Sequence, residues 1–243
     1  VNDKNDANRI KMEDGEMINY SIKEKDTSKV RTRNKNFDSM GFRLRKPPRA
    51  GEFEFEIETI FQTGERRGST AATDTTNLDH RAYFQYLMLG YTFDVPSNLR
   101  LQIELDYASG DNDPFDQDNE RFDSLFGPTT FEFAVVGLYD PFNRSNILTP
   151  GIRLFADVST DVSLMASYRH WWLADAQDSW GRTGLRDRSG RSGRYLGQHL
   201  QLRLRWDVIP GNLRIETGGV YLDAKNLSNK EPKYFYTSAT FTF

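Results

Sequence analysis

Eight arginines, Arg43, Arg45, Arg100, Arg153, Arg169, Arg203, Arg205 and Arg214, occupy alternate positions beside apolar residues in this chain of 243 residues. A guanidinium keeps its charge at any working pH and grips a carboxylate with two parallel hydrogen bonds. A ladder of them could pass an acidic polymer from site to site, or form the charged ring of an anion-selective pore. Glu54, Glu56, Glu58, Glu104, Asp106 and Glu216 share their parity, so the same arginines could instead be paired and keep a wet interior neutral. Asp111, Asp113, Asp116 and Asp118, with Glu120, offer oxygen ligands that suit calcium. Their spacing is not that of an EF-hand, and no glycine marks the turn. Arg182, Arg186, Arg188, Arg191 and Arg194 stand among glycines and serines, where they could attract an acidic polysaccharide or lipopolysaccharide phosphates, or lie solvated without a ligand. His80, His170 and His199 are the only histidines, and none has a neighbour in sequence that makes a persuasive nucleophile and base.

The elements that carry these residues have a period of two. Phe53, Phe55, Ile57 and Phe61 alternate with Glu52, Glu54, Glu56 and Glu58, which a helix would not produce. Leu99, Leu101, Ile103, Leu105 and Tyr107 alternate with Arg100, Gln102, Glu104 and Asp106. The pattern returns in Leu200 to Val208 against Gln201, Arg203, Arg205 and Asp207, and in Leu213, Ile215 and Thr217 against Arg214 and Glu216. The chain closes on Tyr234 to Phe243, with Phe235, Phe241 and Phe243 on one face and tyrosine, serine and threonine hydroxyls on the other. Strands with an apolar and a polar face suit a barrel wall that meets lipid outside and water inside.

Composition is compatible with this. Aromatic residues make up 13% of a chain whose mean hydropathy is -0.70, and no run reaches the roughly 18 to 20 apolar residues of a spanning helix. There is no cysteine, hence no disulfide framework or thiolate metal site. A net charge of -3 gives no support to nucleic-acid binding. The chain opens on Val1 without a signal peptide, so a mature form or a fragment is expected.

Connection lengths supply an independent test, because short periplasmic turns and long external loops must alternate along an outer-membrane barrel. Forward from the start they run long (24–36), short (47–50), long (64–80), short (94–98). Back from the end they run long (222–233), short (209–212), long (174–197), short (158–161). Both directions meet only if 110–146 is one external excursion. Phe131 to Tyr139 is then not a wall strand but folds over or into the mouth.

The stretch Asp106-Tyr-Ala-Ser-Gly-Asp-Asn-Asp-Pro114 with Arg121-Phe-Asp-Ser-Leu-Phe126 resembles the alginate-export family of outer-membrane proteins. The resemblance extends through Met40-Gly-Phe-Arg-Leu44, Phe61-Gln-Thr-Gly64, Asn146-Ile-Leu148, Arg194-Tyr-Leu-Gly-Gln-His199 and the terminal aromatic strand. It implies a barrel of 16 to 18 strands, of which about ten are visible here, so this chain would be the C-terminal part of a longer protein.

The expected fold is therefore all-β, a transmembrane antiparallel up-and-down β-barrel. Residues 1–15 form a tail or loop remnant and 16–243 the wall, with external loops at 110–146 and 174–196. The expected function is a passive channel for an anionic polysaccharide such as alginate, or for small organic anions, through an arginine-lined lumen. Expected partners are outer-membrane lipids and lipopolysaccharide, the anionic saccharide, and periplasmic export or assembly proteins. Calcium in loop 110–120 is the one cofactor considered. Two other readings remain: an outer-membrane enzyme of the lipase or protease type, and a soluble carbohydrate-binding sandwich. The sandwich would need a polar outer face where strand after strand carries Leu, Ile, Phe and Trp.

Overall fold

The computed structural model describes the backbone of residues 17–23 and, in full, residues 35–69, 71, 73–124, 133, 143–181, 183–228 and 230–243. The expected tail at 1–15 lies outside them. Ten strands form one sheet: β1 (Met17–Lys23), β2 (Lys35–Lys46), β3 (Phe53–Arg67), β4 (Asn77–Thr92), β5 (Arg100–Ala108), β7 (Ile147–Asp157), β8 (Val162–Trp172), β9 (Tyr195–Ile209), β10 (Leu213–Ala224) and β11 (Lys233–Phe241). Each pairs antiparallel with its neighbour in sequence, and β1 is not paired with β11 among the described residues. A two-residue strand, β6 (Asp118–Asn119), runs parallel to Asp79–His80 of β4.

Short turns join strands at one end of the sheet. Asn212 N donates to Ile209 O at 2.9 Å and Val158 N to Val162 O at 2.8 Å. Gly51 and Gly211, with φ of 74° and 82°, supply backbone angles that a side chain would resist. Long connections occupy the opposite end. There β4 starts at Asn77 and β9 at Tyr195, earlier than their hydrophobic alternation indicates, because hydrogen bonds to neighbouring strands extend regular pairing beyond the apolar pattern.

The segment between β5 and β7 contributes no strand to the wall, since these two pair directly from Ala108↔Ile147 to Arg100↔Phe155. Most of Phe131 to Tyr139 lies outside the described residues. Phe133 is described, buried, and edge-on to Trp171 at 5.1 Å.

The sheet hides its polar face and exposes its apolar one. Along β5, Ile103 is 60% exposed while Glu104 is 2% exposed; on β9, Leu202 is 54% exposed and Gln201 5%. This inverts a water-soluble protein and fits a wall whose apolar face is solvated by hydrocarbon. The buried apolar cluster lies on the polar side, near the long connections, where Phe84, Trp171 and Leu222 of the wall meet Phe122, Phe133 and Trp180 of the connections. His170 and Trp172 lie on the exposed apolar face with Tyr168 and Tyr195, an aromatic band at the end bearing the long connections. Trp171, one residue out of phase, turns inward and donates to His199 Nδ1 at 3.0 Å.

Candidate functional site

All eight arginines singled out from the sequence lie on the polar face, and seven are paired. Arg43 Nε donates to Glu56 Oε1 at 2.8 Å, and Arg45 Nε lies 3.7 Å from the same carboxylate. Arg100 grips Glu54 with two hydrogen bonds, through Nε at 2.5 Å and Nη2 at 2.7 Å. Glu104 is shared by Arg153, at 3.0 Å, and Arg169, which also donates to Asp106 at 2.9 Å. Arg205 meets Glu216 at 2.5 Å, and Arg214 binds Asp207 at 2.7 and 3.0 Å. Arg203 has no ion-pair partner among the described residues.

Register explains this selection. Arg100, Phe155, Met165, Arg203, Gly218 and Tyr236 lie opposite one another in a single row across the sheet. Arg203 therefore has Met165 on one side and Gly218 on the other, with no carboxylate beside it. Arg100, Arg203 and Arg205 line a cavity of about 440 Å³ near the short turns, together with Arg49, Phe155 and Asp157. The Arg100 guanidinium lies over the Phe155 ring, 5.0 Å from its centroid. Cations beside an aromatic face suit a ligand that is both carboxylate and sugar, since carboxylates pair with guanidinium forks and sugar C–H faces stack on rings. Sequence parity could not find Arg49, which sits in a turn where parity is undefined; it puts Phe155 on the face of Arg153 and Asp157, but only the register sets that ring beside Arg100.

Nearer the long connections the polar face is filled. Arg144 reaches in to lie 4.3 Å above the Phe84 ring, 3.6 Å from Glu58 and 3.9 Å from Asp106. Arg121 ties the 109–146 connection to the 173–194 connection. It donates to Ser145 Oγ at 2.7 Å, to Asp178 Oδ1 at 3.1 Å and to the Gly181 carbonyl at 2.7 Å. Asn146, fully buried, reinforces the joint by accepting from Asp175 N at 2.7 Å and donating to the carbonyls of Asp175 and Ser179.

The acidic loop is arranged differently from its sequence reading. Asp116 and Asp118 come together with Glu120, their carboxylates within 4.8 Å of one another, while Asp111 and Asp113 stand outside that group. Asp118 N donates to Asp116 Oδ1 and Phe115 N to Asp113 Oδ1, local turn bonds within the loop. Asp111 instead faces the joint: its amide donates to Asp178 Oδ2 at 3.1 Å and its carboxylate lies 3.8 Å from Arg186. Burial, then the charges of Asp178, Glu120 and Asp116, push its carboxyl up to about 7, with Arg186 opposing. In the arginine-rich connection, Arg186 and Arg194 donate to the backbone carbonyls of Gln177 and Leu173, and Arg188 lies 5.7 Å from the Phe115 ring centroid. Arg182 lies outside the described residues.

His80, His170 and His199 are not brought together. His80 contacts Gln62 and Phe37, His199 receives the Trp171 indole, and His170 sits between the hydroxyls of Tyr168 and Tyr195. Among the described residues no serine hydroxyl is seen hydrogen-bonded to a histidine.

No curated protein matches the chain. The family model described as "Alginate export" matches residues 6–233, nearly the whole sequence. With an all-antiparallel wall, an exposed apolar face and a sheltered face of arginines and carboxylates, the chain belongs to the alginate export family of outer-membrane channels.

Proposed function

We propose that this chain forms part of the wall of an outer-membrane channel through which an acidic polysaccharide, a polymer of uronates, moves by passive diffusion, with its carboxylates meeting arginines of the polar face. The observation that carries this reading is the cavity of about 440 Å³ in which Arg49, Arg100, Arg203 and Arg205 converge around Phe155, with Arg203 unpaired among the described residues. The paired arginines keep most of the face neutral and hydrated. Arg203 on the wall, with Arg49 in the turn beside it, is a position at which a carboxylate of the passing polymer finds a cation without displacing an internal partner among the described residues. In this reading the exposed apolar face meets membrane lipid, and the 173–194 connection faces lipopolysaccharide.

The test is single-channel recording of the refolded protein in a planar bilayer, with the reversal potential measured in a salt gradient and a mannuronate hexamer titrated in. Anion preference and concentration-dependent block are expected. A charge-assisted contact supports a loss of about 10- to 100-fold in blocking affinity for Arg203→Glu. Cation preference in the unsubstituted protein, or equal block of the variant, overturns the reading.

A further inference from the structure

Three glycines of the polar face share one geometry. Gly90 lies in the row between Glu54 and Gln102, Gly151 between Glu104 and Arg169, and Gly218 between Arg203 and Tyr236. In each case a long side chain from a neighbouring strand passes over the glycine. A Cβ on Gly90 would lie 2.3 Å from Glu54 Oε1, one on Gly151 2.4 Å from Arg169 Cγ, and one on Gly218 2.7 Å from the Tyr236 ring and hydroxyl. Any side chain there would close the path.

What passes differs. Over Gly151, Arg169 reaches two acids of β5 and is fully buried. Over Gly90, the Glu54 carboxylate crosses the whole of β4 to clamp Arg100, and Gln102 Nε2 donates to it at 3.1 Å. Over Gly218 comes Tyr236, which brings no charge and donates its own hydroxyl to Glu216 at 3.0 Å. Arg100 and Arg203 share a row and line the same cavity. One faces a window filled by an acid, the other a window filled by a phenol.

We infer that Gly90 and Gly218 are positioning residues that set the anion strength of the cavity: Glu54, admitted by Gly90, neutralises Arg100, while Tyr236, admitted by Gly218, leaves Arg203 available. This rests on the channel reading above and deepens it. The cavity then holds Arg203 and the turn residue Arg49, which have no ion pair among the described residues, beside Arg100 and Arg205, masked by Glu54 and Glu216. A polymer bearing repeated carboxylates is held loosely enough to move on, whereas unmasking Arg100 as well would retain it longer.

The experiment compares Glu54→Gln and Gly90→Ala with the unsubstituted protein, by reversal potential and by calorimetric titration of the mannuronate hexamer into detergent-solubilised protein. Heat-modifiable gel migration confirms folding in each case. Glu54→Gln should bind the hexamer roughly two- to fivefold more tightly, as release of one partly exposed ion pair supports, and shift the reversal potential toward chloride. Gly90→Ala leaves the formal charge untouched and should move both readouts in the same direction by less, because it only displaces the carboxylate. Glu65→Gln, beyond the cavity, should move neither. If Glu54→Gln binds no more tightly than the unsubstituted protein, or Gly90→Ala changes nothing while folded, the inference fails although the channel reading stands. If the unsubstituted protein does not bind the hexamer, the channel reading itself fails.

Discussion

Arg169 shows what a charge on this face does when it is not available to a ligand. It is 1% exposed and holds two carboxylates, Glu104 and Asp106, that are themselves buried. Arg169→Ala would strand both, and breaking a buried pair in this way costs about 3 to 5 kcal/mol. The expected outcome is a folded fraction lost at markedly lower urea concentration, measured by heat-modifiable migration, with Arg203→Ala leaving the midpoint nearly unchanged. Asp111 gives the 109–124 connection a pH dependence of its own. Its carboxyl titrates near 7 in the folded loop and near 3.9 in an unfolded chain. Between those values the folded form keeps a proton that the unfolded form has lost. The stabilisation it confers is therefore complete below about pH 4, declines as pH rises through about 7, and is flat beyond. Limited proteolysis within 109–124 should be slower at pH 5 than at pH 8, and Asp111→Asn should remove that difference. Equal rates for the unsubstituted loop at both pH values would contradict the assignment.

At the scale of elements, the wall strands and the connections are separable units held by different forces. Strands are fixed by ladder hydrogen bonds and by alternation of apolar and polar faces, so a one-residue slip would put Arg153 and Glu104 on the lipid side. The connections are fixed by side chains, above all Arg121 and Asn146. Arg121→Ala leaves Asp178, 2% exposed, with Arg186 at 3.8 Å as its remaining cation, and should cost the joint about 3 kcal/mol. Accelerated cleavage in both 109–124 and 173–194 is expected, with the midpoint for loss of the strands unchanged. Cleavage confined to one connection would show that they are not coupled through this residue.

At the scale of the whole molecule, the strand ends that flank the long connections lie at one end of the sheet and those that flank the short turns at the other, which would set orientation in a membrane whose barrels place long loops outside. The chain has no cysteine, so single replacements report without background. Ser189→Cys should react with a membrane-impermeant maleimide on intact cells, and Thr160→Cys only after permeabilisation. The reverse pattern would invert the assignment of the two ends. The same polarity puts the arginine cavity at the end of the short turns, and the packed cluster of Phe122, Phe133 and Trp180 at the other. A polymer moving outward along this wall would meet the arginines first.

The sequence by itself determined the wall. A period of two, repeated from Phe42 to Phe241, decides strand and face together, and alternating connection lengths alone exclude a wall strand between β5 and β7. It placed all eight arginines on one face, since parity is a property of the strand alone. It also put Asp116 and Asp118 in one acidic loop, but not Asp111 on the opposite side of it. Only the tertiary structure decided which arginine is paired. Pairing depends on the register between strands and on glycines that open a path across an intervening strand, and neither is written in the periodicity of a single strand. Gly90 reads in sequence as one small residue among apolar neighbours. Across the sheet it is the gap through which Glu54 reaches Arg100.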